Sequence, residues 1–223
     1  MSGPADTAAE RPFVRIDYVA KSGDGRIIDT TDPDAAAGSD LDGLEASGPV
    51  VVVPGEGHLF EPIEAELRGA EPGATLETTV DPEDAFGAAD PDSMVTLDEA
   101  AVAPDRRRPG ETVRIGGRRA AVEAVGEGTV TVDFGHPLAG VTLEYEIEVL
   151  ERLTDPKARA AGLATTHGLR GASVEYDRET GCLTVHLSAS DTDADRDARA
   201  RAYVDDARRL LGVPSVTVVK RYE

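Results

Sequence analysis

The sequence has few or none of several features on which large classes of proteins depend. Cys182 is its only cysteine, which argues against a disulfide framework within the chain and against a zinc site built on several cysteines. Tryptophan is absent, aromatic residues make up only 4% of the chain, and no apolar run approaches the roughly 18 residues that a transmembrane helix needs. Hydrophobic residues nevertheless make up 40% of the 223 residues, so we predict a globular protein of one or two domains.

Positive charge is scarce as well. The chain has 23 lysine and arginine residues against 43 acidic residues, a net charge of −20, which argues against nucleic acid and anionic membranes as partners. Because the acidic residues are spread over the whole chain, we interpret them as adaptation to a salt-rich cytoplasm. An ordinary acidic protein with functional negative patches is the alternative. The polar start is typical of neither a signal peptide nor a transit peptide, so we predict a cytoplasmic protein with a disordered leader at residues 1–10.

The common catalytic motifs are also missing. The sequence has no GxSxG, no Walker loop, no GxGxxG and no HExxH. Its histidines, His58, His136, His167 and His186, lie far apart in sequence, and we predict surface or structural roles for them. Cys182 is predicted to be a small core residue. We therefore predict no metal and no cofactor.

The pattern of apolar residues predicts an α+β protein. Alternation predicts strands near residues 13–19, 26–29, 76–80 and, most clearly, 141–149, while helical spacing predicts a helix over 59–68. Residues 30–48 are predicted to be a long surface loop, and residues 88–135 to hold short β pieces between Gly and Pro turns. After residue 154 we predict a linker helix at 156–164 and a β-β-α-β unit that includes a long helix over 192–211.

Four segments carry a resemblance to a known family. They are IDYVAKSGDGRIIDTT, GPVVVVPGEGHLFEPIEAELRGAEPGAT, PEDAFG and FGHPLAGVTLEYEIEVL. In order and spacing they resemble the FKBP peptidyl-prolyl isomerases, the SlyD-like branch in particular. The resemblance implies an antiparallel half-barrel sheet around one helix, with a small β-rich insert-in-flap domain and a C-terminal β-β-α-β domain similar to that of long archaeal members. An archaeal, salt-rich origin would fit the composition.

The implied domains are a catalytic FKBP domain at 11–87 and 136–153, an insert-in-flap chaperone domain at 88–135, and a C-terminal domain at 154–223. The resemblance also implies two sets of site residues. The catalytic set is Tyr18, Asp29, Phe60, Phe86 and Tyr145, and the substrate-binding set is Ile28, Val50, Leu59, Ile63, His136 and Leu138. The backbone N–H of Phe60 would bind a substrate carbonyl. From the residues alone, several of these side chains could instead be only core.

Two departures from the family's pattern affect the expected binding. Phe86 stands where a tyrosine is usual, so it lacks a hydroxyl that donates to a bound carbonyl, and we expect weaker ligand binding rather than inactivity. Ile63 stands where single-domain members often have tryptophan, which makes a shallower, non-aromatic pocket floor.

The function implied is peptidyl-prolyl cis-trans isomerisation of unfolded or proline-containing polypeptides. An insert surface of Met94, Val95, Leu97 and Val102 could bind unfolded peptide, or these residues could form the small core of the insert. The C-terminal domain is a candidate for homodimerisation. Residues 154–223 contain two histidines and one cysteine, so a nickel-chaperone role is not supported. The alternatives are a non-catalytic peptide-binding chaperone and an assembly module.

Overall fold

The strands and helices were located in a computed structural model that describes residues 11–39, 46, 48–169, 171–187 and 195–220. The leader predicted at residues 1–10 lies outside these ranges. The strands are β1 Phe13–Ser22, β2 Ile27–Thr30, β3 Val50–Val52, β4 Thr75–Val80, β5 Met94–Asp98, β6 Thr112–Ile115, β7 Arg118–Val125, β8 Thr129–Asp133, β9 Leu143–Leu153, β10 Ser173–Tyr176, β11 Leu183–Leu187 and β12 Val216–Lys220. The helices are α1 Pro33–Ala37, α2 Glu61–Gly69, α3 Pro156–Thr166 and α4 Arg196–Leu211. The protein is thus mixed α+β, consistent with an FKBP-like fold.

The described residues form two compact units. The first contains those up to Thr79 and from Glu144 onwards, and the second is Val80–Leu143. The domain boundaries expected from the sequence stay a prediction.

A five-stranded sheet is the centre of the first unit. Its order is β2-β1-β9-β4, and β3 also pairs with β1. Strand β1 is antiparallel to both β2 and β3. Along β9, Tyr145, Ile147 and Val149 are buried and the residues between them are exposed, as the alternation in the sequence predicts. Ile63 and Leu67 of α2 are fully buried, so this helix contributes its apolar stripe to the core of the unit.

Residues 30–48 contain more structure than the predicted surface loop. Helix α1 begins at Pro33, and the side chain of Asp32 accepts a hydrogen bond from the backbone N–H of Asp34 at 2.8 Å. An aspartate cap followed by a proline in the first helical position is a strong signal for a helix start. The loop prediction was therefore wrong for Pro33–Ala37, because it rested on the Asp-, Ala-, Gly- and Ser-rich composition of the segment and not on this local signal.

Helix α3 is not a linker, although the helix itself was predicted. Its residues Ala160 and Leu163 are fully buried in a core that also contains Phe13 and Val51 of the sheet. The side chain of Thr166 donates a hydrogen bond to the backbone carbonyl of Val51 at 2.6 Å. Helix α3 thus packs directly on β3.

The chain after α3 forms a second sheet in the same unit. Strand β11 pairs antiparallel with β10 and parallel with β12, and α4 connects β11 to β12. Helix α4 ends at Gly212, whose positive φ of 66° suits a glycine stop, as predicted. Tyr203 and Leu210 of α4 are fully buried in the core shared with Phe13. The C-terminal elements therefore share one core with the first sheet.

The second unit is a four-stranded antiparallel sheet of order β5-β8-β7-β6. Its core is a group of small aliphatic side chains: Val102, Val113, Ala120, Val122, Val130 and Val132. Such a small core explains how this unit folds with only two aromatic residues, Phe86 and Phe134. Among the described residues of both units, none of the helices is long and apolar enough to cross a membrane.

Candidate functional site

Tyr18 of β1 and Asp29 of β2 are diagonal neighbours across the antiparallel strand pair, in which Asp29 lies opposite Ala20. The Tyr18 hydroxyl donates a hydrogen bond to the carboxylate of Asp29 at 2.7 Å. The backbone at Tyr18 is held in register by Thr31, whose hydroxyl accepts from the Tyr18 N–H at 2.7 Å. The Thr30 hydroxyl donates to the Tyr18 carbonyl at 2.8 Å. Asp29 is exposed, so the hydrogen-bonded pair of Tyr18 and Asp29 forms a polar wall at the sheet surface. Ile28, next to Asp29, is half-buried.

Three aromatic rings from separate elements converge next to this pair. The ring centroid of Tyr145 on β9 lies 5.8 Å from that of Tyr18 and 6.3 Å from that of Phe60, the latter in an edge-to-face arrangement. Tyr145 is only 6% exposed, whereas Tyr18 and Phe60 are half-buried. Contacts at these separations stabilise aromatic pairs. The result is a partly open apolar cluster with one carboxylate at its edge.

Both tyrosine hydroxyls in the cluster stay neutral over the physiological pH range. Burial, followed by the hydrogen bond to Asp29, raises the pKa of Tyr18 far above its ordinary value. Burial, followed by the negative charge of Asp29, raises the pKa of Tyr145 to about 12. The hydroxyls therefore act as hydrogen-bond donors and not as bases.

The loop between β3 and α2 presents Leu59 and Phe60. Gly55 and Gly57 in this loop have φ angles of 100° and 73°, which favour glycine. The buried carboxylate of Glu64 accepts from the backbone N–H groups of Gly55 at 2.6 Å, Leu59 at 2.9 Å and Gly57 at 3.2 Å. Burial alone raises the pKa of Glu64, but these donors together outweigh it and hold the pKa below its ordinary value. One ionised side chain thus organises the whole loop.

Other predicted site residues lie on the same elements. Val50 on β3 and Leu59 are half-buried, and Ile63 on α2 is fully buried. His58 also takes part in the loop, because its Nδ1 accepts from the Val53 N–H at 3.1 Å. Burial lowers the pKa of His58.

Phe86, His136 and Leu138 lie in the second unit. The rings of Phe86 and His136 stack at 4.0 Å between centroids and 12° between planes, and Phe86 is 37% exposed. The Leu138 N–H donates to His136 Nδ1 at 3.2 Å. The segments that precede and follow the four-stranded sheet in the chain are joined by a hydrogen bond from the Gly140 N–H to the Gly87 carbonyl at 2.8 Å. The structure therefore brings Phe86 and His136 together, as a stacked pair within this unit.

The four residues proposed for a peptide-binding surface separate into two groups. Met94 and Val95 on β5 are exposed by 52% and 38%. Leu97 is half-buried against the valine core, and Val102 is 2% exposed within it. The prediction of a surface role was wrong for Val102, because its side chain is needed to fill the small core of the unit.

The chain has relatives among curated proteins, although no family model matches it. It is 31% identical over 140 residues to a short-type peptidyl-prolyl cis-trans isomerase of Methanocaldococcus jannaschii, with 61% of this chain and 88% of that protein aligned. It is 32% identical over 113 residues to the FKBP-type 16 kDa peptidyl-prolyl cis-trans isomerase of Escherichia coli, with 48% of this chain and 74% of that protein aligned. The chain belongs to the FKBP-type peptidyl-prolyl cis-trans isomerases.

This FKBP is SlyD-like. It is 31% identical over 140 residues to the SlyD of Aeromonas hydrophila, with 61% of this chain and 60% of that protein aligned. It is also 28% identical over 151 residues to the SlyD of Treponema pallidum, with 63% of this chain and 76% of that protein aligned. The resemblance drawn from the sequence motifs is thus confirmed, while a salt-loving archaeal origin stays a prediction.

Sequence reasoning missed two residues that hold the elements of the candidate site together. Thr31 is fully buried and connects β2 to the backbone of Tyr18. Glu64 is 2% exposed and organises the loop before α2. A glutamate in the first turn of a helix that follows a Gly-x-Gly loop is a signal that could have identified Glu64. Among the residues that the structure describes, no group of three or more His, Cys, Asp and Glu is placed to hold a metal ion.

Proposed function

We propose that this chain is a peptidyl-prolyl cis-trans isomerase whose site is the cluster of Tyr18, Phe60 and Tyr145 beside Asp29. The observation that carries the proposal is the convergence of three aromatic rings from three elements on one half-open cluster. A site of this kind suits the reaction, which forms and breaks no covalent bond. Proline-containing and unfolded polypeptides are the proposed substrates.

The barrier to rotation about the X–Pro bond is about 18–20 kcal/mol and comes from amide resonance. In the twisted amide this resonance is lost, so the carbonyl is less polar and an apolar site stabilises it relative to the planar amide. Side chains that pack on the prolyl ring would supply the apolar surroundings. Neutral hydroxyl groups such as that of Tyr145 would orient the peptide by donating hydrogen bonds. Each 1.36 kcal/mol gained in the twisted state accelerates rotation about tenfold.

The proposal is tested by a protease-free tetrapeptide assay in molar salt with purified full-length chain. We expect Tyr145→Phe to lower kcat/KM by about two- to tenfold, the value of one hydrogen bond of roughly 0.5–1.5 kcal/mol. Asp29→Ala combined with Tyr145→Ala should reduce the rate further. Tyr203→Phe is the matched control, because Tyr203 is also a buried tyrosine whose pKa is raised to about 12, and its hydroxyl contacts the Ala160 carbonyl of α3 instead. A wild-type rate equal to that of solvent, or a double variant as fast as wild type, would contradict the proposal.

A second proposed activity is the binding of unfolded peptide by the second unit. Ligand clefts in proteins have volumes of about 300–1,000 Å³. A cleft of about 630 Å³ lies within this unit, bordered by Phe86, Met94, Phe134 and His136. Arg118 lies over the Phe134 ring at 4.6 Å from its centroid. Exposed Met94 supports this proposal because its flexible thioether adapts to varied apolar ligands.

The chaperone proposal predicts that Met94→Gln weakens suppression of aggregation of an unfolded client while tetrapeptide turnover stays unchanged. Val125→Thr is the matched control, because Val125 is 43% exposed on β7 of the same sheet but does not border the cleft. Equal suppression by wild type and Met94→Gln, or equal losses in both variants, would count against this proposal. If suppression survives in the absence of any isomerase activity, the chain is a non-catalytic chaperone.

Homodimerisation through the C-terminal elements and a cytoplasmic location stay predictions. Truncation after Leu153 is a poor test of dimerisation, because it would uncover Phe13 and Val51, which share a core with α3 and α4. Light scattering of the intact chain at several concentrations avoids this problem. A constant monomeric mass would remove the assembly role.

A further inference from the structure

The loop that presents Leu59 and Phe60 is attached to the C-terminal helix α4. Its residue Glu56 contacts Arg209 of α4 through one carboxylate oxygen and Arg11, just before β1, through the other. The Glu56 side chain is only 12% exposed. The Arg209 side chain is 49% exposed, so the pair is partly buried and salt screens it less than it screens a fully exposed pair.

Arg209 is itself oriented by a second acidic residue. Its Nη2 donates to the Asp206 carboxylate at 2.6 Å, one turn earlier in α4. The other oxygen of Asp206 lies 3.1 Å from Nε2 of His167, the residue that ends α3. Arg209 therefore bridges a carboxylate on the loop and a carboxylate on its own helix, and the planar guanidinium can hold both at once.

Apolar packing supports the same connection. Val53, the last residue before the loop, lies in the core formed with Ala207 and Leu210 of α4. All three are fully buried. Because Val53, from which the loop departs, shares one buried core with α4, the position of the helix and the path of the loop depend on each other.

We infer that Arg209 is a positioning residue for the isomerase site, which places the C-terminal helix α4 in control of the loop that carries Leu59 and Phe60. Two contacts hold the loop. Glu64 of α2 binds its backbone N–H groups, and Arg209 of α4 binds the side chain of its residue Glu56. This inference rests on the proposed isomerase function for its effect on turnover. It gives the C-terminal elements a role beyond that of a cap or an assembly module.

The test compares Arg209→Ala, Arg209→Lys and Glu56→Gln in the full-length, isotope-labelled chain. We expect Arg209→Ala and Glu56→Gln each to lower kcat/KM by roughly three- to tenfold, because small misplacements of a positioning element reduce the rate without removing a reacting group. The amide resonances of Leu59 and Phe60 should shift in both variants. The double variant should lose no more than the stronger single variant, because the two residues act as a pair. Arg209→Lys should restore part of the loss, since it keeps the charge but not the second hydrogen bond.

Arg208→Ala is the matched control, because Arg208 is an exposed neighbour on the same helix. It should change neither the two amide resonances nor kcat/KM. The inference is overturned if the Leu59 and Phe60 amides stay in place in Arg209→Ala, if Arg208→Ala causes the same loss, or if the double variant is additive. Should the wild type have no isomerase activity, the proposed function fails while the amide shifts still decide the inference.

Discussion

Gly162 is the position at which a single methyl group should most clearly disturb the connection between α3 and the sheet. A Cβ atom at Gly162 would lie 2.8 Å from Cβ and 3.1 Å from Cγ1 of Val51, and closer still to Cγ2. Val51 is 4% exposed and is paired with Arg15 of β1. Thr166 also ties α3 to the Val51 carbonyl at 2.6 Å. Neither the helix nor the strand can therefore move away easily.

The effect of Gly162→Ala is the sum of two opposed terms. Replacing glycine by alanine within a helix stabilises it by about 1 kcal/mol. Overpacking a dense core costs about 1–3 kcal/mol, and contacts below 3.0 Å with a restrained side chain place this case near the upper limit. We expect the free energy of unfolding to fall by about 2 kcal/mol, which is more than a tenfold change in the folding equilibrium.

Urea unfolding followed by tyrosine fluorescence measures this difference. The five tyrosines all lie outside residues 80–143, so their signal reports only the unit that contains α3. Gly69→Ala is the matched control, because Gly69 lies in α2 and a Cβ there would meet nothing within 4 Å. The cost of Gly162→Ala should also be smaller in a Val51→Ala background, which removes two of the three close contacts. If Gly162→Ala is as stable as Gly69→Ala, the close packing of α3 on β3 is refuted.

Three further predictions concern ionisable groups and salt. Glu64→Gln should lower the free energy of unfolding by about 1.5–3 kcal/mol at pH 7, because an ionised acceptor of three N–H groups is lost. The folded state lowers the pKa of Glu64, so urea titrations should show the difference between variant and wild type shrinking as the pH falls below 4.5, the ordinary pKa of a glutamate. His58 has a lowered folded pKa, so the unfolded chain binds its proton first and stability should fall as the pH drops below about 6.5; this fall should be smaller in His58→Asn. With a net charge of −20, the melting temperature should rise between about 0.1 and 2 M KCl, as calorimetry would show.

Each of these three has a result that would contradict it. A difference between wild type and Glu64→Gln that is independent of pH would show that the carboxylate charge does not hold the loop. Identical pH profiles for wild type and His58→Asn would show that the His58 ring is not held neutral by burial. A melting temperature that falls with added KCl would remove the interpretation of the composition as salt adaptation.

The convergence of the aromatic rings illustrates how far the sequence could be interpreted. Alternation along residues 141–149 predicts a strand with Tyr145 on its buried face, and Tyr145 is 6% exposed on β9. The motifs also suggest that Tyr18 and Asp29 belong to one site, and the two side chains are hydrogen-bonded at 2.7 Å. The strand prediction succeeds because alternation is a local property of the chain, whereas the role of Tyr18 and Asp29 in one site, which the family resemblance implies, stays a prediction.

Other features depend on contacts between residues far apart in sequence. Val102 and Met94 are similar apolar residues in neighbouring segments, yet one is 2% exposed and the other 52%. Helix α3 has the composition of a linker, but Gly162 lies against Val51, more than 100 positions earlier in the chain. Periodicity gives no information on which distant strand covers a given face, so these outcomes could not be predicted.

By itself, the sequence determined the α+β class and the FKBP family. Its single cysteine argues against a disulfide framework, and its net charge of −20 argues against nucleic acid as a partner. These follow from composition, local periodicity and motif order, which are properties of the linear chain. Only the tertiary structure decided that Glu64 organises the loop before α2, and that Glu56 of this loop meets Arg209 of α4. The reason is physical: burial and ion pairing depend on which surfaces pack together, and long-range packing brings together residues whose separation in sequence carries no signal.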